Sequence, residues 1–134
     1  MPAIPKTDDT PLIRTDFSDE LAWTQLVKAA TKPSEDGFLA NLHIIDDQEF
    51  AGIGAETIGQ YAAVTDHSFL FIADKMTMTH PEHPVLCVDV SGPERLFRVI
   101  PSELWGPENN LSLANMDFDD FANNAGNDGI FRGF

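Results

Sequence analysis

Cysteine, tyrosine and basic residues are scarce in this chain of 134 residues, which holds one Cys, one Tyr and 8 Lys and Arg together. With Cys87 unpaired, a disulfide framework is excluded. A length of 134 residues lets one domain bury most of its apolar surface without such staples. The few cations face 22 Asp and Glu, giving a formal net charge of −14. Duplex nucleic acid is therefore not an expected ligand, because phosphate neutralisation needs clustered Lys and Arg. No apolar run approaches the ~18 residues of a membrane span. Met1 to Asp9 is polar and proline-bearing, unlike a signal peptide. The expectation is an acidic cytoplasmic domain that engages neither membrane nor nucleic acid.

What is present is a folding sequence. Its 43% hydrophobic and 10% aromatic content argues against disorder despite the acidity. Residues 1–10 read as a flexible arm, and residues 11–134 as a single domain. Pro11 to Thr15 is a candidate strand. Asp16 or Ser18 is expected to cap a helix from about Asp19 to Lys32, whose apolar face is Ala22, Trp23, Leu26, Val27 and Ala30 at helical spacing. Pro33 and Gly37 stop it. Asn41 to Ile45 is a second strand. Asp46, with Glu49 three residues on, reads as a capping box for a short turn, and Ala55 to Ala63 as a further short helix weakened by Gly59.

Ser68 to Ala73 is apolar throughout, as a strand covered on both faces must be. Lys75 to Met78 fits either helix or loop, and His80 to Pro84 must be a loop because each proline restricts its predecessor. Val85 to Val90 and Arg95 to Ile100 form a hairpin around a turn at Ser91, Gly92, Pro93 and Glu94. Pro101 opens a helical stretch that Pro107 is expected to break or restart, and Asp117 to Ala125 is a last helix. The alternation predicts an α/β sandwich with a mixed, partly parallel sheet of about five strands flanked by helices. Oligomeric state is left open, because Phe131 and Phe134 in the glycine-rich tail could cover their own core or a neighbour.

Three candidate sites stand out. Each early strand is followed at once by aspartate, namely Asp16, Asp46 with Asp47, and Asp74. Carboxylates converging at the carboxyl ends of parallel strands can hold Mg²⁺ and assist phosphoryl transfer or hydrolysis. The same residues are good helix caps, and capping alone explains their positions. His80, Glu82, His83 and Cys87 are zinc-ligand types, yet their spacing fits no zinc signature and Cys87 lies in an apolar strand. Gly52-Ile53-Gly54 with Gly59 lacks the spacing and the Lys-Ser/Thr of a phosphate loop. The third candidate is the stretch around Trp105, Asn109, Asn110, Asn115 and Asp117, whose amides could bind a polar partner or could satisfy turns and caps.

Arg14-Thr15-Asp16-Phe17 followed by Trp23, the pair Asp46-Asp47, the strand Val85 to Val90, the run PSELWGPENNLSLANMDFDDF and the ending Phe131-Arg132-Gly133-Phe134 resemble an uncharacterised bacterial domain family of this size. The likeness spans nearly the whole chain after residue 10 and implies a single self-contained domain, with no activity, cofactor or site attached. Two functional expectations follow from the residues themselves. The favoured one is a non-catalytic binding module for a basic protein partner, with no cofactor. The alternative is a Mg-dependent phosphotransferase or hydrolase built on Asp16, Asp46 and Asp74, supported by Asp47.

Overall fold

The computed structural model of the chain describes residues 3–92 and 95–134. Six strands form one mixed sheet: β1 (Thr10–Arg14), β2 (Leu42–Ile45), β3 (Phe69–Ala73), β4 (Val85–Asp89), β5 (Leu96–Val99) and β6 (Ile130–Phe131). Their spatial order is β2-β1-β3-β4-β5-β6. β1 pairs in parallel with both β2 and β3, whereas β4 runs antiparallel to β3 and β5. The hairpin of β4 and β5 is as expected; Pro93 and Glu94, placed in its turn, lie outside the described residues. The expected count of about five strands is corrected to six. Ile130 and Phe131 pair in parallel with Arg98 and Val99 and lie in the core, whereas Phe134 stays exposed.

The strands are covered on both faces, as their apolar runs require. In β3, Phe69, Phe71 and Ala73 enter one layer while Leu70 and Ile72 enter the other. The first layer packs against α1 (Glu20–Ala30) through Trp23 and Leu26, and against α5 (Phe118–Ala122) through Phe118 and Phe121. The second layer is covered by Phe50 and by Ile58 and Ala62 of α2 (Ala55–Ala62). Ile4 is also buried there, although residues 3–9 have no regular structure.

Several boundaries differ from expectation for local reasons. Asp19, not Asp16 or Ser18, caps α1, with its carboxylate accepting from the Ala22 N–H at 3.0 Å. Asp16 is occupied one turn earlier, accepting from the Ser18 N–H at 2.9 Å. α1 ends at Ala30 rather than Lys32, since Pro33 disfavours helical backbone at the residue before it. Asp47, not Asp46, caps the 3₁₀ turn Gln48–Phe50, because Asp46 is drawn to Arg14.

Lys75–Thr79 is helical (α3), started by a capping box between Asp74 and Thr77. Pro107 does not break the helical stretch. It sits in the first turn of α4 (Trp105–Ser112), where the missing N–H has no partner to lose. Asp117, not Asn115, caps α5, and that helix closes early as Asn124 Nδ2 donates to the Asp120 carbonyl at 2.7 Å.

Candidate functional site

The carboxyl ends of β1, β2 and β3 share one edge of the sheet, where a ligand crevice is expected in a parallel arrangement. Arg14, the last residue of β1, dominates this edge. It is one of the largest fully buried side chains, in a strand otherwise apolar apart from Thr10. Its guanidinium donates to Glu20 at 2.8 Å, to Asp46 at 3.2 Å and to the Asp16 carbonyl at 3.1 Å. It also lies 4.3 Å from the Phe17 ring centroid and 5.1 Å from that of Trp23. A weakly hydrated planar cation suits such a site, because two carboxylates and two aromatic faces replace its water.

Asp74, at the end of β3, does two jobs. Its carboxylate accepts from the Thr77 N–H at 3.1 Å, capping α3, and from Arg98 of β5 in a two-pronged pair at 2.7 and 2.9 Å. Burial pushes the Asp74 pKa up. The Arg98 guanidinium outweighs this, aided by the Thr77 donors, and holds it below the ordinary 3.8. Thus Asp46 and Asp74 each face an arginine, Asp16 holds Ser18 and Asp47 holds a turn. Among the described residues, no group of three or more His, Cys, Asp or Glu side chains is placed to hold a metal ion.

His80 Nδ1 accepts from the Glu82 N–H at 3.1 Å, and His83 Nδ1 lies 3.0 Å from the Thr77 carbonyl. Cys87 is fully buried, and burial raises its thiol pKa well above the ordinary value, with Asp89 adding to the effect. It packs as a small apolar residue.

The PENNLS segment has a centre that the sequence reading passed over. Glu108 is 2% exposed. Its carboxylate accepts from the Asn41 N–H at 2.7 Å, Thr10 Oγ1 at 2.8 Å, Ser112 Oγ at 2.6 Å and Asn109 Nδ2 at 3.1 Å. These bonds pin α4 to the starts of β1 and β2. Asn109 also donates to the Leu39 carbonyl, and Asn110 to the Gly106 carbonyl. The amides therefore serve the helix and its docking, while Asn115 is exposed. Trp105 differs from them. It is half-buried, stacks on Phe38 with centroids 4.9 Å apart, and lines a recess of about 560 Å³. Asp117 borders a smaller recess of about 180 Å³ beside Phe118.

The sequence model of a family described as a domain of unknown function (DUF6924) matches residues 9–134. The chain belongs to that family. The match takes in the strand-end aspartates, Arg14 and the whole Trp105 to Asp117 stretch, so all of these lie within the DUF6924 domain. A comparison with curated proteins returns no match.

The arginines missed in the sequence could have been found by one signal. A strongly charged residue ending an apolar strand, as in PLIRT, must find buried compensation. Acidic residues at Asp16, Glu20 and Asp46 lay nearby to supply it. Glu108 carried no such mark, because its donors come from residues as distant as Thr10.

Proposed function

We propose that this DUF6924 domain is a non-catalytic binding module whose acidic surface takes a basic protein partner. One observation supports the reading above others: most of the cations are paired with carboxylates of the same chain. Arg14, Arg95, Arg98 and Arg132 all pair with carboxylates, and Lys6 pairs with Asp66. Lys28, Lys32 and Lys75 are left as the basic side chains without an ion pair among the described residues. Exposed carboxylates such as Asp8, Asp19, Glu35, Asp47, Glu49 and Glu56 have no such neutralisation. The outward field is therefore strongly negative, and a field of that sign attracts basic surfaces and speeds their association. The strand-end aspartates fit the same reading, since Asp46 and Asp74 pair with arginines, Asp47 caps a turn and Asp16 holds Ser18.

The test is calorimetric titration with poly-L-lysine at about 50 mM and about 300 mM salt, concentrations that bracket strong and weak screening. Binding that weakens several-fold at the higher salt supports the proposal. An absence of binding at the lower salt, or an affinity indifferent to salt, overturns it.

A further inference from the structure

The recess beside Trp105 is lined by the last turn of α1 and the residues after it (Ala29, Lys32, Pro33, Ser34, Glu35 and Asp36), and by Ser102, Glu103 and Trp105. Its chemistry is specific. Three carboxylates, of Glu35, Asp36 and Glu103, face one ammonium, that of Lys32. The C-terminal turn of α1 adds the partial negative charge of its terminal carbonyls, which favours a cation. Glu103 is half-buried, and its carboxylate has no hydrogen bond or ion pair among the described residues. Burial alone raises its pKa. The backbone also passes close by at Gly133, where φ is +106° and an added Cβ would lie 3.3 Å from the Glu103 carboxyl carbon.

Trp105 supplies an aromatic surface whose plane is fixed by stacking on Phe38, with an interplanar angle of 15°. Phe38 and Leu39 are themselves exposed at 48% and 40%. A half-buried carboxylate without an ion pair among the described residues, beside a pinned indole and a helix carboxyl end, matches the needs of a guanidinium. That group is planar, pairs with carboxylates in two-pronged fashion and stacks on aromatic rings.

We infer that this recess is the anchor point for the basic partner, receiving an arginine side chain between Glu103 and Trp105 with an apolar neighbour resting on Phe38 and Leu39. The inference rests on the binding-module reading and assigns it a location. Glu35 and Asp36 at the rim receive a second basic residue of the same segment. Lys32 opposes lysine-poor or neutral segments less than basic ones in close approach, so its removal strengthens binding.

The experiment titrates an acetylated hexa-arginine peptide into the whole domain and into three variants, E103Q, K32Q and E56Q. Glu56 is exposed on α2, away from the recess, so E56Q removes the same charge without touching it. The E103Q side chain has the shape of the original and loses no internal bond, so its melting temperature should match the parent. The expected result is about tenfold weaker binding for E103Q, as loss of one charge-assisted pair produces, with E56Q within about twofold. K32Q should bind more tightly. Equal weakening by E103Q and E56Q would overturn the anchor while leaving the basic-partner reading intact. Failure of both hexa-arginine and poly-L-lysine to bind the unaltered domain would overturn both.

Discussion

Arg14 and Glu108 are charges of opposite sign at 2% exposure each, and the molecule compensates them by different means. Arg14 is met by two carboxylates whose other sides reach water, Asp46 at 45% and Glu20 at 75% side-chain exposure. Glu108 is met by neutral donors alone, from Thr10, Asn41, Asn109 and Ser112. The difference teaches where the cost of failure falls. If Arg14 goes, its partners turn to solvent. If Glu108 goes, a backbone N–H and two hydroxyls lose their acceptor, and the Thr10 hydroxyl is itself buried.

The comparison breaks most sharply at Glu108. Replacing it by alanine should lower stability by about 3 kcal/mol, the cost of stranding several donors in a buried site. E108Q should cost only about 1 kcal/mol, because the Thr10 and Ser112 hydroxyls can rotate to accept from the new amide. Urea denaturation measures both, and an E108A variant as stable as E108Q would show that the carboxylate is not what holds α4. R14M comes next. It keeps the apolar stem and loses the cation, so about 1–2 kcal/mol is expected, with Asp46 and Glu20 recovering hydration. A loss larger than that of E108A would reverse the comparison.

Asp74 gives the smallest effect and a pH signature. Its folded pKa lies below the ordinary 3.8, so its ionised form stabilises the fold above that value. This contribution is lost as pH falls through the depressed folded pKa. D74N retains the cap on α3 and gives up the charge on Arg98. It should cost about 1 kcal/mol at neutral pH and flatten the acid limb of the stability profile below about pH 4. A limb identical to that of the parent would remove Asp74 from the acid response.

Legibility in the sequence followed the range of the interactions. α1, β3 and the β4–β5 hairpin depend on periodicity and on turn residues within a dozen positions, and all were readable. β6 was not, since two residues punctuated by glycine carry no period, and Arg98 and Val99 supply their pairing from far upstream. The capping aspartates were readable as a class but not one by one. Which of Asp46 and Asp47 caps a turn depends on Arg14, and that choice is made across the sheet. At the site, Trp105 stood out by type, whereas Glu103 looked like any surface acid until the fold placed it in a recess without an ion-pair partner among the described residues.

The position of β1 between two later strands also governs how the chain reaches this state. Leu12 must wait for Ile44 on one side and Phe71 on the other, so β1 is flanked by two strands that come later in the chain. Closing those wide loops precedes any reward from pairing β1, which makes that step costlier than forming the local β4–β5 hairpin. Until then the TPLIR run has neither of its two strand partners, and the cation at its end has yet to meet Asp46 across the sheet.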